Sequence, residues 1–245
     1  MTSPAAPSVA LVGRKRWFAL LFLAVGVAMI ILDATVVNVA IPTMVKDLGL
    51  TTTDAEWVTA AYSLTFASLL ILFGRLSDKW GRRLLFLVGV VVFVGATVLV
   101  AASDSSTTLI AARALQGVGG AMILPSSLSV LNAVFVGKDR AIAFAVWGGT
   151  IGGMAALGPL VGGWLTTYAS WHWAFLINVP IGIAVLVGVA LTVPETKDAG
   201  GSRGIDVPGT LLITAGLLGI VFALIEGQRY GWFRPTEPFS AAGWE

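Results

Sequence analysis

Two charged side chains lie inside long uncharged stretches of the sequence, and their chemistry needs an explanation. Asp33 stands in the run from Trp17 to Val45, and Arg113 stands in the run from Thr107 to Val130. A charge at the centre of a membrane helix costs roughly 2.5 to 3.5 kcal/mol even on a lenient insertion scale. Intramembrane charges usually pair or line a water-filled cavity, so we expect Asp33 and Arg113 to lie at comparable depth and to face one central cavity.

The residues around Arg113 predict a polar face on the same helix. Arg113, Gln116, Gly117 and Gly120 recur at positions i, i+3, i+4 and i+7, which places them on one side. Glycines there permit close helix approach, while Arg113 and Gln116 point into the interior. Two interpretations stay open: the charges handle protons or a substrate charge, or they form a static buried pair that only fixes helix packing.

The composition places the chain in a membrane. Hydrophobic residues make up 57% of it, charged residues 11%, and the mean hydropathy is +0.90, which lies outside the range of ordinary soluble domains. The net charge of +2 argues against a nucleic-acid partner, and the absence of Cys excludes disulfides and thiolate metal sites. Because there is one His and no HExxH or GxSxG pattern, we expect no metal, no cofactor and no enzymatic activity.

Charges divide the sequence into apolar runs long enough to cross the ~30 Å hydrocarbon layer, which takes about 20 residues. We predict an all-α membrane protein with about seven spans. Its parts are an N-terminal segment (1–16), a six-helix unit (17–193), a linker (194–206), a seventh helix (207–225) and a polar tail (226–245). The segment TTYASWHW, residues 166–173, divides the longest uncharged run into helices five and six.

The basic residues predict the orientation of these spans. With the N-terminus in the cytoplasm, eleven Lys and Arg side chains lie inside and three outside. This is the asymmetry of the positive-inside rule. We therefore expect a cytoplasmic N-terminus, a cytoplasmic linker and a location in the cell membrane.

Two glycine-containing segments carry further signals. GRLSDKWGRR, residues 74–83, is a short turn with five charges, in which Asp78 suits the positive end of the helix dipole that follows. A solvated turn would explain its basic residues but not the spacing of Gly, Leu, Asp, Gly and Arg. In GGTIGGMAALGPLVGG, residues 148–163, the glycines and Pro159 predict a bend or pivot in the fifth helix.

These segments resemble signatures of the major facilitator superfamily. GRLSDKWGRR is similar to the signature between helices two and three, RALQGVGGAMILP to the helix-four motif of proton-linked members, and ALGPLVGG to the helix-five antiporter motif. LDATVVNVAIP and SWHWAFLINVPIG resemble two further signatures of the fourteen-span drug:proton antiporters. The five motifs follow the family's order along nearly the whole chain.

The resemblance implies an export carrier that alternates between inward- and outward-open states and exchanges protons for lipophilic, often cationic compounds. The roles that it implies are proton or substrate coupling for Asp33, Asn38, Arg113 and Gln116, a cytoplasmic gate for Gly74, Asp78, Gly81, Arg82 and Arg83, and an antiporter bend for Gly158, Pro159, Gly162 and Gly163.

Length is the main departure from the family pattern. Members comprise two six-helix halves with, in this branch, two extra helices between them, and rocking one half against the other needs both. The chain therefore resembles the first half plus one linker helix. We expect either half of a carrier, whose partner is the other half or a second copy, or a truncated membrane fragment or dimerising membrane partner that transports nothing.

Overall fold

The computed structural model describes residues 13–197 and 207–230, and these fold into helices. In chain order the helices are α1 (Arg14–Leu48), α2 (Thr52–Trp80), α3 (Arg82–Ala101), α4 (Ser106–Val134), α5 (Gly137–Tyr168), α6 (Trp171–Leu176), α7 (Asn178–Thr192) and α8 (Val207–Tyr230). Residues 1–12, 198–206 and 231–245 lie outside the described part, and with them most of the predicted N-terminal segment, linker and tail.

Six of the described helical stretches are long and apolar enough to cross a membrane, which confirms the predicted all-α membrane fold. The sixth, Trp171–Thr192, consists of α6 and α7 in succession. Pro180 explains why this span is interrupted, since proline has no N–H for the carbonyl four residues earlier and its ring crowds that carbonyl. In α8 the apolar stretch is shorter, Leu211–Leu224. The helix itself continues to Tyr230, five residues beyond the predicted end.

Helix α4 lies between α2 and α3, while α1 packs against α5 and α7, and α8 packs against α2. Glycines allow the close approach of α4. A Cβ atom on Gly117 would overlap the Thr65 hydroxyl oxygen of α2, and one on Gly119 would lie 2.6 Å from the Phe93 backbone nitrogen of α3. The small-residue face of α4 therefore packs in the interior.

The two ends of the bundle differ in their chemistry. At one end, the capped end, Thr51 and Asp54 form a capping box at the start of α2, in which each side chain bonds the other residue's backbone N–H. At the other end, the basic end, Arg16 of α1 pairs with Asp139 of α5 at 2.7 Å. There Gly81 alone separates α2 from α3, with a φ of 130° that favours glycine.

Candidate functional site

A buried polar cluster forms where α1, α3, α4 and α7 meet. Arg113 Nη1 donates to Asp33 Oδ2 at 2.5 Å and to Gln116 Oε1 at 2.6 Å. Gln116 Nε2 donates to Asp33 Oδ1 at 3.0 Å and to Thr97 Oγ1 at 2.8 Å. Asn178 Nδ2 donates to Asp33 Oδ1 at 3.2 Å. The carboxyl group thus accepts three hydrogen bonds.

Aromatic rings and backbone carbonyls enclose the guanidinium of this buried cluster. The Arg113 guanidinium carbon lies 4.4 Å from the centre of the Tyr62 ring and 5.8 Å from that of Phe175, within the range of a cation–π attraction. Its Nε donates to the Val58 carbonyl at 3.1 Å, and the Tyr62 hydroxyl donates to the Ile30 carbonyl at 3.3 Å. Tyr62 and the Val58 carbonyl of α2 therefore contact Arg113 in addition to Asp33.

The structure brings Asp33 and Arg113 together in a buried pair, and the expectation that they face one central cavity stays a prediction. Asp33 is 1% exposed and Arg113 is 0% exposed. Gln116, Tyr62 and Phe175 occupy the space around the pair, so the charges are stabilised by protein groups instead of water. The structure describes a closed ion pair inside one helical unit.

Asn38 does not join the buried cluster. Its side chain is exposed, and its Nδ2 donates to the carbonyl of Ala34 in the preceding turn at 3.4 Å. Five residues along a helix of 3.6 residues per turn place Asn38 about 140° around α1 from Asp33. Any shared role of the two residues would require them to act on different faces of α1.

Three members of the site were not predicted from the sequence: Thr97, Asn178 and Tyr62. For Asn178 a signal was present, because a lone amide in the apolar stretch FLINVPIG is itself costly within a membrane and needs a partner. Thr97 lacks such a signal, since its hydroxyl also donates to the Phe93 carbonyl of its own helix, as threonines in helices commonly do. Only the fold shows that it also accepts from Gln116.

The segment GRLSDKWGRR lies at the basic end, at the joint between α2 and α3. Asp78 Oδ1 accepts from Arg82 Nη2 at 2.7 Å and from Arg82 Nε at 2.8 Å. The side chain of Asp78 is 41% exposed and that of Arg82 is 18% exposed. Gly74 lies one turn before Asp78, where an added Cβ would meet only Pro125 at an ordinary 3.6 Å. In this conformation the predicted gate residues Asp78 and Arg82 form a local, solvent-accessible pair.

Glu195, which follows α7, is a further residue at this joint that sequence reasoning missed. Its Oε1 accepts from the Arg83 backbone N–H at 3.2 Å, and its Oε2 accepts from that of Leu84 at 3.0 Å. The carboxylate thus caps the first turn of α3, where unpaired N–H groups and the helix dipole favour negative charge. A Cβ on Gly81 would lie 2.6 Å from Glu195 Oε1, so glycine is needed there for room as well as for its φ.

Arg83 reinforces the contact between α3 and α7. Its Nη2 donates to the Ala190 carbonyl at 2.6 Å, and the neighbouring Arg82 backbone N–H donates to the Thr196 carbonyl at 3.1 Å. The guanidinium of Arg83, the second arginine of the predicted gate, therefore bonds a backbone carbonyl near the end of α7. Within the described part of the chain, it does not pair with a carboxylate. The start of α3 and the end of the sixth span are joined at the basic end.

The predicted bend residues lie where α5 packs on α1. A Cβ on Gly158 would overlap the Thr35 side chain, and one on Gly162 would lie 3.1 Å from Val36 Cγ1. Gly163 is looser, with Val39 at 3.8 Å, and Pro159 is exposed within α5. The structure thus gives Gly158 and Gly162 a packing role, and a pivot at this segment stays a prediction.

The described residues contain no group of three or more His, Cys, Asp or Glu side chains that could hold a metal ion. The site consists of one buried ion pair with its amide and hydroxyl partners, and of a second, exposed pair at the basic end. Such an arrangement inside a bundle of membrane-length helices defines a polytopic membrane protein with a polar core, the class to which solute carriers belong.

The sequence matches the Major Facilitator Superfamily over residues 23–233, and the chain belongs to this family of carriers. A crystal structure of the peptide transporter POT in complex with sulfate has the same fold, with a TM-score of 0.68 and 20% identity, over 92% of this chain and 49% of that one.

Several curated relatives are named for drug resistance or export. The puromycin resistance protein pur8 of Streptomyces alboniger is 41% identical over 222 residues, which are 90% of this chain and 44% of the relative. The probable actinorhodin transporter of Streptomyces coelicolor is 42% identical over 89% of this chain and 38% of its own length. The multidrug efflux pump LfrA of Mycolicibacterium smegmatis is 39% identical over 78% of this chain and 38% of its own length. The chain spans less than half the length of these relatives.

Proposed function

We propose that this chain forms one half of a proton-coupled carrier that exports lipophilic, often cationic compounds by alternating access. It would lie in the cell membrane with its N-terminus in the cytoplasm. The observation that carries the proposal is the buried Asp33–Arg113 pair. An apolar replacement of a buried ion pair is often equally stable, and ionisable groups within spans mark proton and substrate pathways. The names of the relatives, which refer to antibiotic resistance, transport and efflux, support export as the direction.

Asp33 is the residue that would bind the proton. While Asp33 is ionised, its charge balances that of Arg113, and three donors satisfy the carboxylate. A proton on Asp33 leaves the guanidinium without its counter-charge in a site closed to water. The charge of the cluster then rises by one unit, and this change is what would favour a different packing of α1 against α4.

The available driving force is adequate for export of this kind. A membrane potential of 100 mV supplies ~2.3 kcal/mol per charge moved. Because a tenfold ratio corresponds to ~1.4 kcal/mol, one net charge could sustain a roughly 50-fold gradient of the exported compound. Arg113 and Gln116 would keep the proton site closed, and the exposed Asn38 would be available to the substrate.

The remaining predicted residues would serve the conformational change. Gly74, Asp78, Gly81, Arg82 and Arg83 would form a cytoplasmic gate, and Glu195 would belong to the same gate because it caps α3 there. Gly158, Pro159, Gly162 and Gly163 would let α5 move along α1. The other half of the carrier would cover the open face of α5, which exposes Leu160 by 70% and Trp164 by 62%.

Replacement of Asp33 tests the coupling role. In a chimera that joins this chain to the remaining part of a similar exporter and shows proton-driven ethidium efflux, Asp33→Asn should lower efflux at least tenfold at an unchanged membrane level. The exposed Asp104→Asn is the matched control and should keep efflux. The double variant Asp33→Asn/Arg113→Gln contains no unpaired buried charge, so its inactivity would be due to lost coupling and not to misfolding. Undiminished efflux in Asp33→Asn rejects the role.

The open face of α5 also supports the second candidate, in which the chain by itself transports nothing and associates with another copy. Gly148, Gly149, Gly152 and Gly153 have no neighbour within 4 Å of an added Cβ, so another helix could approach closely there. The chain has no native Cys, so a single introduced cysteine reports association cleanly. Crosslinking of Leu160→Cys but not of Leu191→Cys, which is 78% exposed on α7, together with no efflux by the chain alone, would favour this candidate.

A further inference from the structure

Asn178 uses only half of its side-chain amide. It is the first residue of α7 and is completely buried. Its Nδ2 donates to Asp33 Oδ1 at 3.2 Å, whereas its Oδ1 has no hydrogen-bond partner among the described residues although it is buried. A buried carbonyl oxygen without a donor is costly, and native structures contain few of them. The lack of a donor for Asn178 Oδ1 therefore needs an explanation.

The other polar groups that contact Asp33 are already hydrogen-bonded to one another. Among the described residues, Arg113 is the one charged group that pairs with the carboxylate, and a guanidinium has no acceptor. The Oε1 of Gln116 already accepts from Arg113, and its Nε2 donates to both Asp33 and Thr97. On α2, the titratable Tyr62 faces Arg113 and donates its hydroxyl to the Ile30 carbonyl.

A protonated carboxyl group must donate one hydrogen bond, whereas the ionised group only accepts. Asn178 Oδ1 belongs to a side chain that already contacts Asp33, and it accepts no hydrogen bond from the described residues. A half-turn of the amide about its last side-chain bond exchanges the positions of Nδ2 and Oδ1. That rotation breaks none of the other hydrogen bonds of the buried cluster, because Asn178 makes only the one to Asp33.

We propose that Asn178 is a positioning residue whose amide turns with the protonation of Asp33. While Asp33 is ionised, Asn178 Nδ2 donates to Asp33 Oδ1. When a proton from water binds Asp33 Oδ1, the new O–H donates to Asn178 Oδ1, and Asp33 Oδ2 still accepts from Arg113. The O–H bond on Asp33 is the only covalent bond that forms, and within the cluster none breaks. The charge of the cluster rises by one unit. The inference rests on the proposed role of Asp33 as the proton-binding residue.

The position of Asn178 connects this rotation to the rest of the fold. Asn178 follows Ile177, the residue at which the sixth span is interrupted, and precedes Pro180 by two positions. The far end of α7 is held by Arg83, which donates to the Ala190 carbonyl. From Asn178 to Ala190 is ~18 Å at 1.5 Å per residue. Helix α7 therefore joins the proton site to the gate at the basic end.

Infrared spectroscopy of the purified chain in lipid nanodiscs can observe both groups. The sequence contains three asparagines, Asn38, Asn132 and Asn178, so Asn38→Gln/Asn132→Gln leaves Asn178 as the single site for asparagine with a ¹³C side-chain carbonyl. On titration from pH 9 to pH 4 the carboxyl band of Asp33 should appear and the labelled amide band should shift, with one common midpoint. In Asp33→Leu/Arg113→Leu both changes should be absent.

The outcomes separate this inference from the proposed function. A carboxyl band of Asp33 that appears while the amide band stays constant overturns the role of Asn178 and leaves Asp33 as a proton site. If the parent chain and Asp33→Leu/Arg113→Leu show the same carboxyl bands on titration, the proton role fails and the inference fails with it. A joint change that persists in Asp33→Leu/Arg113→Leu also overturns the inference, because the amide then responds to another group.

Substitution of Asn178 provides an independent measurement. In Asn178→Leu the protonated Asp33 loses the amide acceptor that we propose for it, so its C=O band should move to higher wavenumber than in the parent chain. Asn178→Gln restores a rotatable amide and should return the band toward its original position. Asn132→Leu, at an exposed position of α4, should leave the band in place. Coincident bands in the Leu and Gln variants at position 178 would overturn the proposal.

Discussion

Two of the three carboxylate–guanidinium pairs that the structure describes, Asp33–Arg113 and Asp78–Arg82, have opposite character. Asp33 and Arg113 come from different helices, and their side chains are 0% exposed. Asp78 and Arg82 are four residues apart at the joint of α2 and α3, and their side chains are 41% and 18% exposed. The chemical groups are the same and the distances are 2.5 and 2.7 Å. The two pairs differ in burial and in the separation of their residues along the chain.

This difference determines what each pair can do. An exposed pair in water contributes about 0 to 1 kcal/mol and can open and close at little cost, which suits a gate. Removal of one partner from a buried pair costs about 3 to 5 kcal/mol because the other charge stays in a medium of low polarity. A change of one charge in the buried pair changes the interactions among the helices that surround it, α1, α3, α4 and α7. This property suits a site that couples protons to movement.

The largest effect is expected from removing one charge of the buried pair. Arg113→Leu should lower the free energy of unfolding by about 3 to 5 kcal/mol, because Asp33 loses its counter-ion and stays buried. A denaturant titration in detergent micelles, followed by circular dichroism, measures this. Asp33→Leu/Arg113→Leu should recover most of the loss. A double variant as unstable as the single one would show that packing, and not the unpaired charge, sets the cost.

An intermediate effect is expected at Glu195, which stands between the two extremes because it is an exposed charge with two backbone partners. Glu195→Ala should cost roughly 0.5 to 2 kcal/mol, as for the loss of a helix cap. The amides of Arg83 and Leu84 should also exchange hydrogen faster. Lys197→Ala, a nearby exposed residue, serves as the control. Unchanged exchange at both amides would contradict the capping role.

The smallest effect on stability is expected at the exposed pair. Asp78→Asn should change the free energy of unfolding by at most about 0.5 kcal/mol, and less at high salt, because solvent already screens the pair. In the active chimera the same change should nevertheless lower ethidium efflux, since the proposed gate needs the charge. A stability loss above about 2 kcal/mol would remove the contrast between the two pairs.

Much of the fold could be predicted from the sequence, because charges punctuate the apolar runs and the hydrocarbon thickness fixes their length. The break between α5 and α6 falls at Ala169 and Ser170, within the predicted TTYASWHW segment. The interruption at Ile177 was not predicted, although Pro180 indicates it. The true end of α8 was missed because Glu226 was taken as a boundary, whereas charged residues are tolerated in a helix that leaves the hydrocarbon.

The charged residues and Gln116 of the buried cluster could be predicted from the sequence, whereas its partners Thr97 and Asn178 on other helices could not. Helical periodicity placed Arg113 with Gln116, and the costs of burial suggested Asp33 as their partner. Asn38 was grouped with Asp33 by motif, but its angular position on α1 takes it to another face. Glu195 lies far along the chain from α3, and no local sequence pattern predicts that a distant residue caps a helix.

The single-residue joint at Gly81 also limits where the chain can be lengthened. A peptide tag placed between Trp80 and Arg82 would have to displace the Glu195 carboxylate, which already fills the space around Gly81. Between α3 and α4, in contrast, the residues Ala102 and Asp104 are exposed, and exposed connections accept added residues most readily. For epitope tagging, and equally for insertions during evolution, the two connections on either side of α3 therefore have opposite tolerance.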